Sequence, residues 1–594
     1  MRADEVGDGF GINPAVGYAA LLLVAVTTLL IGIYGLRISR TTGDFYVASR
    51  TVRPWWNASA IGGEYLSAAS FLGVAGLILI SGTDALWFPI GYTAGYLMLL
   101  LFVAAPMRRS GAYTIPDFAQ ARLESLPARR VTSLLVIVVG WLYIVPQLHG
   151  AALTVSITTG LPAWVGPLAV VVVVCAGVMG GGMRSITFVQ AFQFWLKLTA
   201  IAVPVVFLLF AWQADGGPDP AAPGPPVTRV ETTVRVPDTV RVRVEAPVTL
   251  AVTGVVDGVG VDGPMRLEVG SVTIGAGSQV TLPAGAAVPH VESLQAAEGT
   301  AWATPTSGAG GRDHALYRVY SLLIALLFGT MGLPHVLVRF YTNKDGRAAR
   351  RTTLVVLGLL GAFYVFPPVY GALGRVYAPD LLLTGRTDAV VLLLPSRVLP
   401  APWGDLVSAL VVAGAFAAFL STASGLTVSV AGVLSQDLLR GRLRSSVQGF
   451  RLGAVVAVVV PALLSLFTLR TSLADTVGLA FALAASTFCP LLLLGIWWRG
   501  LTRTGALAGL LVGGSTAAAA VLVTIAGGST SGLGGALLAQ PAAWSMPLAF
   551  TVMVVGSLLT RGSVPASAGR IMARLHAPET LGLTETEPAA RRQG

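Results

Sequence analysis

The stretch GGEYLSAASFLG, residues 62–73, places a carboxylic acid, a phenol and two serines inside apolar flanks that run from about Trp55 to Ile80. An ionised carboxylate at the centre of a bilayer costs at least about 2.5–3.5 kcal/mol, so Glu64 is expensive where it stands. In lipid a helix breaks only where protein, water or a bound ion satisfies the freed N–H and C=O groups. Secondary transporters exploit such breaks, with freed carbonyls binding a cation and half-helix amides facing an anion. The pair Gly62-Gly63 fits a break of this kind, and it fits close helix packing equally well. A second stretch, AGAFAAFLSTASGLTVSVAGVLSQDLLR (413–440), carries adjacent hydroxyls at Ser421 and Thr422. Each hydroxyl can simply bond the carbonyl one turn back. Together with a free carbonyl at Ala418 they also make a compact set of three hard oxygens, suited to replacing the water around Na⁺. The chemistry implied is ion binding rather than bond-making. The chain has five histidines, at 149, 290, 314, 335 and 576, and no HExxH or GxSxG pattern, so an enzyme is not expected.

The elements that must position these residues are membrane helices. Of 594 residues, 54% are hydrophobic and only 11% charged, whereas soluble domains carry about 25% charged residues. Apolar runs of spanning length fall at about 15–37, 55–80, 84–106, 130–156, 161–181 and 184–212, then at 315–338, 351–375, 404–436, 449–470, 474–497, 503–526 and 542–560. That reading predicts thirteen helices. Arginine and lysine collect in alternate loops, with Arg37, Arg40, Arg50 and Arg53 after the first helix and Arg108, Arg109, Arg122, Arg129 and Arg130 after the third. Arg339, Lys344, Arg347, Arg350 and Arg351 follow the seventh, Arg440, Arg442 and Arg444 the ninth, and Arg499 and Arg503 the eleventh. This asymmetry predicts an outside N-terminus and a cytoplasmic C-terminus. The net charge of +11 is thus a topology signal; no basic block with interleaved aromatics points to nucleic acid. The start, MRADEVGDGFGINP, is polar and acidic, without the basic region of a signal peptide. Cys175 and Cys489 lie in apolar runs with no metal-type spacing.

The expected domains are an N-terminal membrane part (1–213), an outer insert (214–313), a second membrane part (314–500), two further helices (501–560) and a cytoplasmic tail (561–594). The insert opens with a Pro/Gly linker, GGPDPAAPGPP, and continues with valine or threonine alternating with charge. Period-two alternation predicts strands, with a disordered segment as the alternative. It is expected to interrupt no helix and to be dispensable for transport.

Five stretches together resemble the sodium/solute symporter family, and within it the cation/acetate (monocarboxylate) permease branch. They are TGDFYVASRTV (42–52), GGEYLSAASFLGVAGLI (62–78), GGMRSITFVQAFQFWLKL (181–198), LFGTMGLPHVLVRFYTNKDGRAARR (327–351) and AFLSTASGLTVSVAGVLSQDL (418–438). The resemblance covers about 15–212 and 315–560, outside the insert and the tail. It implies an all-α polytopic fold of LeuT type, two inverted five-helix repeats formed by helices two to six and seven to eleven. It also implies sodium as the coupling ion and no other cofactor. The family's sodium pattern falls here on the carbonyls of Gly63 and Leu66 at the helix break, the carbonyl of Ala418, and the hydroxyls of Ser421 and Thr422. Sugar and proline members commonly carry an aspartate where this chain has Gln190, and acetate-like members share the glutamine. Glu64 then becomes a candidate for cation attraction or proton uptake, or a charge that balances a nearby arginine.

Substrate selection must come from the bundle centre. Tyr65, Ser67 and Ser70 beside the break, Gln147 in YIVPQLHG, and Gln190 and Gln193 on the sixth helix are the candidates. His149 reads as a hydrogen-bonded core residue, Lys197 as snorkelling or internally paired, and Pro334, His335 and Arg339 as a gate or a topology anchor. The expected partners are a small monocarboxylate, sodium and the bilayer of the plasma membrane, with a monomer as the default. The alternatives are proton coupling, another small solute, or a transporter-like sensor.

Overall fold

The structure is a computed structural model, and it describes residues 13–38, 53–306, 314–439, 446–467, 472–527 and 532–578. TGDFYVASRTV, the residues Arg40, Arg50, Arg440, Arg442 and Arg444, and the tail beyond 578 lie outside the described residues.

The chain opens with α1 (Pro14–Ile38), α2 (Pro54–Tyr65) and α3 (Val74–Ser81), followed by α4 (Trp87–Phe102), α5 (Ala104–Ser110), α6 (Ile115–Leu123), α7 (Leu126–Thr159) and α8 (Val165–Ala214). A π-helical turn at Ala69–Gly73 leads into α3. After the insert, whose last helix is α9 (Gly299–Ala303), come α10 (Ala315–Gly332), α11 (Pro334–Phe340), α12 (Gly346–Tyr364), α13 (Phe366–Tyr377), α14 (Leu381–Thr384) and α15 (Val390–Val398). The remainder is α16 (Trp403–Val433), α17 (Ser446–Ser465), α18 (Leu473–Trp497), α19 (Arg503–Ile525), α20 (Gly532–Ala539), α21 (Ala542–Leu559) and α22 (Ala568–His576). Eleven helices among the described residues are long and apolar enough to cross a membrane, against thirteen expected. The difference has two sources. The expected fifth and sixth helices run together as α8, which at 50 residues is about 75 Å long. The expected second helix is broken, and its second half continues toward α4.

Two helices break at depth, and both breaks serve the site. Between α2 and the π-helical turn the chain leaves helical geometry at Leu66, with φ −72° and ψ 89°. Between α10 and α11 it does so at Leu333, with φ −71° and ψ 117°. That conformation is the one the residue before a proline prefers, and Pro334 starts α11. The glycine pair is not itself the first break. A Cβ on Gly63 would come within 2.2 Å of the Gln190 carbonyl oxygen, and one on Gly62 within 2.9 Å of the Phe194 ring. The glycines let α2 lie against α8, and the helix opens three residues later.

The insert folds as a seven-stranded antiparallel sheet, β1 (Thr232–Arg235), β2 (Val240–Val244), β3 (Val248–Val256), β4 (Val259–Leu267), β5 (Gly270–Ile274), β6 (Gln279–Leu282) and β7 (His290–Val291). The strand order is β1-β6-β3-β5-β2-β7, with β4 paired to β3. Alternating aliphatic residues such as Val242, Val244, Leu250 and Val252 point inward and are buried, and Leu383 of α14 joins their core. The segment after β7 does not stay with the sheet. Ala297 N–H donates to the Ile80 carbonyl at 2.8 Å, and Trp302 Nε1–H donates to the Ile78 carbonyl at 2.8 Å. Trp302 is only 6% exposed. It adds a side-chain donor to the last carbonyls of α3, where Gly82 N–H already donates to that of Ile78, so the insert is not separable at its C-terminal end from the membrane part. On the opposite face the basic loops converge. Arg108 donates to the carbonyls of Asn343 at 2.5 Å and Lys344 at 2.6 Å, and Arg109 to that of His576 at 3.3 Å.

Candidate ion and substrate site

The break after Tyr65 frees backbone groups that cannot be left bare in a dry interior, and side chains from three other helices satisfy them. Gln147 on α7 accepts from the Ala68 N–H at 2.9 Å and donates to the Tyr143 carbonyl at 3.2 Å. Thr422 on α16 donates to the Glu64 carbonyl at 2.7 Å. Lys197 on α8, wholly buried, donates to the Gly63 carbonyl, to the Leu66 carbonyl at 2.7 Å and to Ser421 Oγ at 2.7 Å. Ser421 in turn donates to the Ala418 carbonyl at 3.0 Å. Of the five oxygens expected to hold sodium, those of Gly63, Leu66 and Ser421 meet at the side-chain nitrogen of Lys197 between α2 and α16, while the Ala418 carbonyl is engaged by Ser421 and the Thr422 hydroxyl by the Glu64 carbonyl. An ammonium has three donors and no acceptor, and three of these oxygens engage all three.

Glu64 belongs to a neighbouring layer. Its carboxylate is 2% exposed and pairs with Arg339 of α11, 1% exposed, at 2.7 Å from Nε. Arg339 also donates to Thr187 Oγ1 at 2.7 Å and to Gln190 Oε1, while Gln190 Nε2 donates to the Ser421 carbonyl at 2.8 Å. Glu64 is thus a paired charge rather than a free cation attractor. A Cβ on Gly425 would overlap it at 2.0 Å, so the glycine of α16 makes room for the pair. With Glu64 and Arg339 cancelling, a protonated Lys197 would contribute the unbalanced positive charge of this region. A sodium ion sharing the cradle at about 4 Å from a protonated Lys197 would meet a repulsion of about 4 kcal/mol at an effective permittivity near 20. The cradle therefore favours one monovalent cation at a time.

Beside the break lies an aromatic box. The Tyr65 ring meets Tyr96 at 4.7 Å and Tyr92 at 6.0 Å between centroids. Phe481 lies 5.3 Å from Tyr92 and 5.8 Å from Tyr143, and His335 lies 5.2 Å from Tyr143. The Tyr65 hydroxyl is spent on the Tyr92 carbonyl at 3.2 Å and Thr330 Oγ1 at 3.1 Å. Ser70 is bonded to the Tyr364 hydroxyl at 2.8 Å, and Ser67 is buried in the break itself. The hydroxyls of Tyr92 and Tyr96 and both ring nitrogens of His335 are buried without a hydrogen-bond partner.

Two expected substrate residues are engaged elsewhere. Gln147 holds the half-helix N-terminus and faces the break rather than open space. Gln193 turns away from the centre, donating to Thr28 of α1 at 3.1 Å; it is offset by about 60° from Gln190 on an α-helix, toward α1. His149 is bonded to the Ser465 carbonyl at 3.1 Å, as a core histidine should be. Sequence reasoning did not foresee the position of Lys197 at the helix break or the box residues Tyr92, Tyr96, Tyr143, Tyr364 and Phe481. The spacing of Tyr92 and Tyr96, four residues apart on one helix face, was the available signal. In the insert, Glu245, His290 and Glu298 bring ligand-type atoms within 4.8 Å of one another, but Glu245 already pairs with Arg243 at 2.7 Å.

The model of the sodium:solute symporter family matches residues 45–217 and 272–513. The chain is 28% identical over 561 residues to an uncharacterized symporter of Bacillus subtilis, YwcA, covering 91% of this chain and 94% of that one. It is 28% identical over 588 residues to a monocarboxylic acid transporter of Corynebacterium glutamicum, covering 94% of each. Among solved structures it is similar in fold to a Na⁺-coupled sialic acid symporter in a substrate-bound outward-open state. That likeness has a TM-score of 0.61 and 14% identity, and it covers 92% of this chain and 98% of the other.

Proposed function

The chain belongs to the sodium:solute symporter family, and we propose that it imports a short monocarboxylate, acetate first and propionate or pyruvate next, by alternating access. It is a multi-pass protein of the plasma membrane, and we place its arginine-rich loops in the cytoplasm and the insert outside. The observation that carries the substrate class is the set of unspent donors in the aromatic box. Tyr92, Tyr96 and His335 are buried and unpaired, and buried polar groups are nearly always paired unless a ligand completes them. Hydroxyl and ring N–H donors suit a carboxylate, and a protonated Lys197 would add a positive charge that suits an anion.

The coupling cation sits in the cradle of Gly63, Leu66, Ala418, Ser421 and Thr422. Sodium is the ion that family membership and the five-oxygen pattern support. A proton is the second reading, and the position of Lys197 favours it. Competition against labelled pyruvate uptake in proteoliposomes tests the substrate class. Acetate and propionate should block, whereas proline and galactose should not; block by proline alone would refute the short-monocarboxylate reading.

A further inference from the structure

We propose that Lys197 is itself the coupling cation: its protonated ammonium takes the place of sodium in the cradle, and the chain carries a proton with each carboxylate. The inference rests on the symport reading and replaces only the identity of the ion. Lys197 Nζ engages two carbonyls of the broken segment, Gly63 and Leu66, and one hydroxyl of α16, Ser421. It thereby ties α2 to α16 across the joint that a bound sodium ion would tie. A neutral amine has two N–H donors and a lone pair, so it cannot serve three acceptors at once. Loss of the proton leaves two N–H donors for the two carbonyls of α2, so Ser421 must either part from the amine or turn its own O–H from the Ala418 carbonyl to the lone pair, and in both cases the hydrogen-bonding of the joint between α2 and α16 changes.

The titratable and charged groups facing Lys197 are few. Glu64 on α2 is neutralised by Arg339 on α11. The face of α16 presents the hydroxyls Ser421 and Thr422, and on α13 the Tyr370 hydroxyl is bonded to the Ile201 carbonyl at 3.3 Å. Gln193, toward α1, is bonded to Thr28. Among the described residues no carboxylate is hydrogen-bonded to or ion-paired with the lysine, so its counter-ion can be the arriving substrate. The balance is simple. Outside, Lys197 takes a proton and the carboxylate binds; inside, both leave. One positive and one negative charge move together, and the cycle is electroneutral.

Two measurements test this on the full-length protein. In the first, thermal unfolding of purified protein is followed at neutral pH with sodium, potassium or choline chloride. Wild type should show no sodium-specific shift. Lys197→Ala, which empties the cradle of its tethered cation, should gain a saturable sodium-specific rise in Tm, with Lys197→Met as the second variant should the first not fold. A saturable sodium shift in wild type would overturn the proposal. In the second, vesicles with an alkaline lumen take up labelled pyruvate in sodium-free buffer; pyruvate is chosen because acetic acid crosses lipid unaided. Wild type should accumulate it about tenfold per unit of pH gradient, the limit for one proton per anion, and Lys197→Ala should only equilibrate it. Accumulation that follows a sodium gradient at equal pH would overturn the proposal. Should no carboxylate move under any gradient while the sodium shift behaves as expected, the symport reading fails and the assignment of Lys197 stands.

Discussion

The ammonium of Lys197 lies 2.7 Å from the carbonyl oxygen of Leu66, at the point where the helix containing Glu64 runs out of its own hydrogen bonds. A buried cation and a broken helix each cost free energy alone, and here each satisfies the other. This is why a lysine without a carboxylate partner is tolerated at membrane depth.

The first prediction follows from the count of donors. Ser421→Ala removes one of three acceptors from Lys197, and Thr422→Ala leaves the Glu64 carbonyl bare. A buried group stranded in this way costs about 1–3 kcal/mol, so uptake in proteoliposomes should fall about tenfold or more for each. Thr422→Ser, which keeps the hydroxyl, should recover most of it. Equal loss in Thr422→Ser and Thr422→Ala would show that the hydroxyl is irrelevant.

The second prediction concerns the pair of Glu64 and Arg339, joined at 2.7 Å and almost wholly buried. Breaking a buried pair strands a charge and costs about 3–5 kcal/mol. Glu64→Gln and Arg339→Gln should each lower the thermal stability of the purified protein strongly. The double variant should be less damaged than the sum of the two. Strict additivity in the double-mutant cycle would mean that the two side chains do not act as a pair.

Much of this arrangement was legible in the sequence, and the reasons for the rest are physical. The apolar runs had to become helices because lipid offers the backbone no other partner. The Ala418-Ser421-Thr422 group was legible because spacing on one helix fixes which oxygens stand together. Gly62-Gly63 was harder, since a glycine pair suits a break and a close contact alike; the 2.2 Å approach of Gln190 decides for contact. For Lys197 internal pairing was legible but the partners were not, because they come from α2 and α16, far away in the chain. Its depth in an apolar helix was the available clue, as an intramembrane lysine is functional by default. The partners of Gln193 and Gln147 likewise depend on helix rotation, which no local pattern reports.

A third prediction separates the two parts of the insert. Val288 N–H donates to the Pro226 carbonyl at 2.9 Å, so a short Gly/Ser linker can replace residues 227–287 at little closure cost. That variant should retain most pyruvate uptake. Trp302→Ala should not, because it removes a donor from the end of α3 and empties a buried site, at about 3–5 kcal/mol. Both variants are scored by uptake per molecule reconstituted. Normal uptake in Trp302→Ala would show that the added donor to α3 is ornamental.

A fourth prediction concerns pH. Asp388, between α14 and α15, accepts from Leu473 N–H at 3.1 Å and abuts Gly76 of α3; burial pushes its carboxyl up to about 6. A raised carboxyl pKa favours the protonated form in the folded protein. Its contribution is full below about 3.8 and is lost as pH rises through about 6, a change of about 3 kcal/mol. Wild type should therefore gain thermal stability between pH 7 and pH 5 relative to Asp388→Asn, whose amide does not titrate. Parallel pH profiles for the two proteins would remove Asp388 as the cause.

The central claim, that one proton travels with each carboxylate by way of Lys197, is tested most directly by observing the proton. Vesicles enclosing a pH-sensitive dye, with equal pH on both sides and no sodium present, are given pyruvate outside. The lumen should acidify by one proton per pyruvate imported, and Lys197→Ala should give no acidification. Pyruvate uptake that requires sodium and leaves the lumenal pH unchanged would contradict the account.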